Sequence, residues 1–173
     1  NGTCKLVADS KHHFRTICVF CGSKAGRDSQ YTHAAQALAG ELLQREISLV
    51  YGGGQVGLMG ILADAMLEGS GQVIGVIPHG LATKELLHLG ATQMHVVSSM
   101  HDRKAKMAEL SDAFIALPGG YGTFEELMEV ITWMQLGIHH KPIGLLSVAD
   151  YFRPLENLID HAIAEDFIQP ALR

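Results

Sequence analysis

Ala113-Phe114-Ile115-Ala116-Leu117-Pro118-Gly119-Gly120-Tyr121-Gly122-Thr123-Phe124-Glu125-Glu126 is the stretch that decides how this chain folds. Residues 113–117 are continuously apolar, as in a strand buried on both faces. A helical pattern begins near Thr123. A buried strand that turns into a helix is the repeating unit of a parallel α/β sheet. The turn also carries a functional signal. Gly119, Gly120 and Gly122 leave backbone N–H groups bare, and the start of a helix adds positive potential, which suits a phosphate. Glu125 and Glu126 follow at once, and a carboxylate is a poor neighbour for a phosphate. Such a site reads as one that does chemistry on whatever the phosphate is attached to.

Outward from this turn the same alternation repeats. Strands are expected at residues 16–21, 47–51, 73–77, 93–97, 114–117 and 142–146. Helices are expected from Ser29, which can cap, to about residue 46, at 58–68 with a stop near Gly69, at 101–110, 124–136 and 154–165, with a short one at 85–89. Nearly continuous apolar strands between helices indicate a single-domain α/β fold, a Rossmann-like doubly wound parallel sheet with helices on both faces. It should occupy residues 16–173, behind a poorly ordered lead-in at 1–15. Ligands in such folds lie beyond the carboxyl ends of the strands, where both glycine loops fall.

Composition narrows the function. The 173 residues are 47% hydrophobic and 18% charged, with a formal net charge of −5. That charge gives no bulk attraction to nucleic acid, and no basic, aromatic-interleaved face is evident. A phosphate must be held by local N–H groups and a few placed cations. No apolar run approaches the ~20 residues that span a bilayer, and no secretory pattern opens the sequence. Cys18-Val19-Phe20-Cys21 has redox spacing but lies in a strand, where residues three apart point to opposite faces. Two ordinary thiols in a reducing, cytoplasmic setting are expected.

Gly52-x-Gly54-x-x-Gly57 matches a dinucleotide fingerprint in form. It follows the second strand rather than the first, and the next strand ends at Ile77-Pro78-His79 with no acid for a ribose hydroxyl, which argues against NAD. A phosphate or nucleotide loop is the better reading, and tight helix–strand packing the plainer one. In Met100-His101-Asp102-Arg103-Lys104, a helix would put Arg103 on a stripe with Met100, Met107 and Leu110. A buried guanidinium needs a carboxylate or a bound anion. Lys104 lies one step round the helix. Thr123-x-x-Glu126 is also a capping box, and spacing alone does not separate capping from catalysis for Glu126; Glu125 should face solvent at the helix start. The histidines show no metal-site spacing, so no metal is expected. Trp133 and Met134 read as core or subunit contacts.

With these segments in hand, the chain resembles the LOG ("Lonely Guy") family. The resemblance rests on Cys21-Gly22-Ser23, Tyr51-Gly52-Gly53-Gly54, Gly57-Leu58-Met59-Gly60, Gly75-Val76-Ile77-Pro78, Met100 to Lys104 and Pro118 to Glu126. It implies hydrolysis of the N-glycosidic bond of cytokinin riboside 5'-monophosphates, with Arg103 and Glu126 as the catalytic pair. It implies substrate contacts from Gly22, Ser23, Gly53, Gly54, Glu85, Met100, Arg103, Lys104, Gly119, Gly120, Tyr121, Gly122, Thr123, Phe124, Glu125, Glu126 and Thr132. No cofactor is implied. The partner is a nucleoside 5'-monophosphate, and family members are homodimers or larger homo-oligomers. Leu86-Leu87-His88, in a variable region of the family, bears on side-chain preference. Rival readings are a general purine 5'-monophosphate nucleosidase and a non-catalytic nucleotide or cofactor carrier.

Overall fold

The structure is a computed structural model that describes residues 14–83 and 87–169. Its frame is one sheet of six parallel strands: β1 (Thr16–Phe20), β2 (Ser48–Tyr51), β3 (Val73–Pro78), β4 (Gln93–Val97), β5 (Ala113–Ala116) and β6 (Ile143–Leu145). The order across the sheet is β4-β3-β2-β1-β5-β6. The chain winds outward from β1 to the β4 edge, then crosses back to place β5 on the other side of β1. That reversal creates a crevice between the carboxyl ends of β1 and β5, where doubly wound folds bind ligands.

Alternation along the strands builds two cores. Ile17, Val19 and Cys21 join one with Leu49 and Tyr51, covered by α1 (Ser29–Gln44) and α2 (Gly57–Glu68). Cys18 and Phe20 join the other with Val50, Val76 and Phe114. The helices on that face are α3 (Met100–Glu109), α4 (Tyr121–Gln135) and α5 (Arg153–Ala164). The two thiols therefore face opposite sides of the sheet, are free, and are pushed up in pKa by burial first. Ala35, Ala39 and Leu42 form the buried stripe of α1, and Leu58, Leu62, Ala63 and Met66 that of α2. Full burial of one such leucine contributes about 1.5–3 kcal/mol.

Two local expectations change. Asp28, not Ser29, caps α1, because its Oδ1 accepts the Gln30 N–H at 2.9 Å and Ser29 is already helical. Of the short helix expected at 85–89, residues 85 and 86 lie outside the described ones. The remainder is not helical. Leu87 bridges Gly54, and the His88 N–H donates to Gly53 O at 3.0 Å, so the segment pairs with the glycine turn instead.

Candidate active site

A cavity of about 350 Å³ opens at the β1/β5 crevice. The loop after β1 supplies Gly22, Ser23 and Lys24, and the loop after β5 supplies Pro118, Gly119 and Gly120. The loops abut: Gly22 N–H donates to Pro118 O at 3.1 Å, and a Cβ on Gly22 would lie 3.2 Å from Gly119 Cα. Tyr31 and Tyr151 form a wall. At the head of α4, Gly120 is the N-cap and no side chain caps the helix. The first N–H groups of a helix have no partner within it, so those of Gly120, Tyr121, Gly122 and Thr123 are the donors at this helix start.

The helix begins at Tyr121, three residues before the expected start at 124, and this removes the capping box. Thr123 is the third helical residue, 3% exposed, and presses on the turn: a Cβ on Gly119 would lie 2.0 Å from its Oγ1. Glu126 lies in the second turn on the inward stripe with Thr123, Leu127 and Val130.

That inward placement brings Glu126 to Arg103. Ser99 caps α3, its Oγ accepting the Asp102 N–H at 3.0 Å. Arg103 then projects over β3 to the carboxyl end of β2. Its Nε donates to Val76 O at 3.1 Å, and its Nη2 to Gly52 O at 3.3 Å. Its Nη1 lies 3.2 Å from Glu126 Oε1, with the two side chains 11% and 9% exposed. The guanidinium expected on an apolar stripe thus meets a carboxylate. Burial raises the Glu126 pKa above its ordinary value, while Arg103 pulls it down, Glu125 pushes it up and Lys104 pulls it down. A carboxylate held this way can face a developing cation or take a proton from water.

Lys104 is more buried than its helix position suggested, with an 8% exposed side chain. Its Nζ meets Glu125 and lies 2.9 Å from Glu129 Oε2. Burial alone would lower the Lys104 pKa, but these two carboxylates outweigh it and raise it. Glu125 is half exposed yet paired, and so is not simply a solvent-facing acid. Glu129 was missed. Its signal was the i, i+4 spacing from Glu125, which puts both acids on one side of α4.

The remaining candidates divide. Met100 opens α3, 41% exposed, with Sδ 3.9 Å from Arg103 Nη1. Tyr121 is 93% exposed and Gly122 exposed, while the Phe124 ring stacks on Tyr151 at 6.4 Å. Gly53 and Gly54 lie in the turn after β2 and hold residues 87 and 88 by backbone bonds. At Gly57 the packing reading is the better one. Its φ is +59°, a Cβ there would come within 2.3 Å of the Ser23 carbonyl carbon, and Leu58 N–H donates to Gly22 O. Glu85 lies outside the described residues. Thr132 is exposed, its Oγ1 donating to Met128 O at 2.7 Å, about 9 Å along the α4 axis from Glu126. Tyr31 and Tyr151 were not singled out in the sequence, because no local pattern links them to a turn far away in the chain.

Comparison with known proteins completes the picture. Residues 59–173 match the family model described as "possible lysine decarboxylase". The chain is 56% identical over 160 residues to the probable cytokinin riboside 5'-monophosphate phosphoribohydrolase LOGL3 of Oryza sativa subsp. japonica, covering 92% of this chain and 76% of that one. It is 55% identical over 163 residues to the cytokinin riboside 5'-monophosphate phosphoribohydrolase LOG3 of Arabidopsis thaliana, covering 94% and 76%. Among solved structures it resembles the molybdenum cofactor binding protein of Rippkaea orientalis, with a TM-score of 0.62 and 21% identity over 82% of this chain and 84% of the other. That last likeness speaks to the fold.

Proposed function

The chain belongs to the LOG family of cytokinin riboside 5'-monophosphate phosphoribohydrolases, and on that premise we propose that it cuts the N-glycosidic bond of an N6-modified AMP, releasing the free base and ribose 5-phosphate. The observation that carries this reading is the buried Arg103–Glu126 pair, 3.2 Å apart, on the same carboxyl edge of the sheet as the glycine-lined cavity, whose lining does not include the pair itself.

Cleavage at the anomeric carbon passes through a cationic, oxocarbenium-like state. The C1'–N bond breaks, and its electron pair leaves with the purine, which takes up a proton from solvent, matched by the proton that Glu126 later returns to solvent. Water oxygen bonds to C1'. Glu126 stabilises the cation and accepts the proton that the water loses, and the other water hydrogen stays on the new hydroxyl. Arg103 orients Glu126 and keeps it ionised. The loops around Gly22, Ser23, Gly119 and Gly120, with the α4 N–H groups, hold the 5'-phosphate and so fix the sugar while the base departs. Lys104 ties α3 to α4 through Glu125 and Glu129, keeping Arg103 and Glu126 in register.

The lysine decarboxylase label fits this site poorly. A Schiff-base lysine works with a lowered amine pKa, whereas Lys104 is held charged by two carboxylates.

Thr132 is exposed and away from its own cavity, so it would reach substrate from a second copy; α5 is amphipathic and buries no residue fully. Both support a homodimer. The free thiols Cys18 and Cys21 support a cytoplasmic setting, and among the described residues no helix is long and apolar enough to cross a membrane.

The test is incubation with N6-isopentenyl-AMP and with AMP at matched concentrations, following free base and ribose 5-phosphate. Preferential release of the isopentenyl base supports the reading. Equal turnover of AMP would replace it with a general purine 5'-monophosphate nucleosidase. Binding without ribose 5-phosphate would make the protein a carrier.

A further inference from the structure

Tyr151 lies just before α5, yet its hydroxyl donates to Gly119 O in the turn ahead of α4. The ring is fixed from several sides. It stacks on Phe124 and meets Tyr31 and Phe152 edge-on, with centroids 6.4, 6.0 and 5.2 Å away. The next residue, Phe152, is 1% exposed, and its N–H donates to Ser147 Oγ at 3.1 Å. The two preceding residues, Ala149 and Asp150, have φ of 51° and 56°. Neither is glycine, and side chains disfavour that left-handed region. Such backbone persists only where its surroundings over-determine it, and it gathers at functional sites. The chain thus takes an unfavourable bend to deliver one tyrosine to the cavity wall.

The hydroxyl has a specific consequence. Among the described residues there are no cis peptide bonds, so the carbonyl and N–H of the Gly119–Gly120 peptide point in opposite directions. Two glycines in a row have no side chains to set the plane of that peptide. Holding Gly119 O at Tyr151 turns the Gly120 N–H away from the ring, and Gly120 is the uncapped N-cap of α4.

We propose that Tyr151 is a positioning residue for phosphate recognition: it presets the Gly119–Gly120 peptide, so that the donors at the head of α4 receive a nucleoside 5'-monophosphate without reordering. The inference rests on the reading of this cavity as a nucleotide monophosphate site. Donors that need no rearrangement bind an anion more tightly, because no ordering is lost on binding.

The experiment is calorimetric titration of wild type and Tyr151→Phe with AMP and with adenosine, which lacks the phosphate. Loss of one hydrogen bond that organises the donors should weaken AMP about 3- to 10-fold and leave adenosine unchanged. In turnover, the loss should fall on KM more than on kcat. AMP affinity unchanged in the variant, or AMP and adenosine weakened equally, overturns the proposal. A second measurement needs no variant. In the wild-type NMR spectrum the Gly120 amide should shift on adding AMP and not on adding adenosine, and an unmoved Gly120 amide overturns the proposal whatever the variant does. Base release from N6-isopentenyl-AMP is read separately. Wild type that binds AMP but releases no base sinks the hydrolase reading and leaves the Tyr151 role standing. Wild type that hydrolyses, with a variant that binds AMP as tightly, sinks the Tyr151 role alone. Wild type that does not bind AMP overturns both.

Discussion

Gly52 leaves empty the space that the Arg103 guanidinium fills: a Cβ built on Gly52 would lie 2.0 Å from Arg103 Nη2. The same residue's carbonyl accepts from that nitrogen at 3.3 Å. The end of β2 is therefore a seat for the guanidinium. Gly52→Ala should fold, since the atom it meets ends a flexible side chain, but it should displace Arg103 from Glu126. Displacement of about 1 Å in such a site costs up to ~100-fold in rate. Steady-state kcat with N6-isopentenyl-AMP, beside a circular dichroism melt, checks this.

Glu126→Gln keeps the size of the side chain and removes its charge. If the carboxylate faces the cation or takes the water's proton, kcat should fall by at least ~100-fold while the protein stays folded. Turnover within a few-fold of wild type would leave Glu126 as a structural partner of Arg103.

Arg103→Ala leaves Glu126 buried without its counter-charge. Breaking a buried pair from one side costs about 3–5 kcal/mol, so activity should vanish and the melting temperature should drop. Arg103→Lys should recover part of the stability and little of the activity. One ammonium does not reproduce the fork that serves Val76 O, Gly52 O and Glu126 together. Urea titration with a single-turnover assay separates the two effects.

The pH profile follows from the direction of the Glu126 shift. Burial raises its pKa above the ordinary value of 4.5, so the acid limb of kcat/KM should fall above that pH. The sign for stability is unfavourable. As pH rises from the unfolded-state value toward the raised folded one, the unfolded chain releases a proton that the folded chain retains, and stability falls across that window. Glu126→Gln should lose that fall, read as the difference between the two melting-temperature profiles.

Lys104→Met should move the acid limb further up. Lys104 lowers the Glu126 pKa, whereas Glu125 and Glu129, stripped of their partner, would both continue to raise it. An acid limb unchanged in Lys104→Met would mean that the lysine only braces α3 against α4.

The fold was legible because its signals are local. The run at 93–97 reads as β4 to the residue, and the others fall within a residue or two, since apolar runs between helical patterns record which surfaces must be buried. The opposite facing of Cys18 and Cys21 followed from the two-residue period of a strand. Arg103 was legible as a charge on an apolar stripe, which had to have a partner. Glu126 was not settled, because Thr123-x-x-Glu126 satisfies capping and catalysis at the same spacing. The start of α4 at Tyr121 removed the cap, a shift of three residues that the pattern could not resolve. Glu129 and Tyr151 went unnoticed, since each matters through a contact made by another element.

The sequence by itself determined the α/β alternation, the two glycine loops at strand ends and the family resemblance, all properties of short segments read in order. Tertiary structure alone decided the strand order, and with it that the loops after β1 and β5 become neighbours at the crevice. It alone decided that Arg103 finds Glu126, that Lys104 finds Glu129 and that Tyr151 reaches Gly119. Each of these pairs is made by residues far apart in the chain. Only the packing of whole helices on the sheet, driven by burial of their apolar faces, brings them within hydrogen-bonding distance.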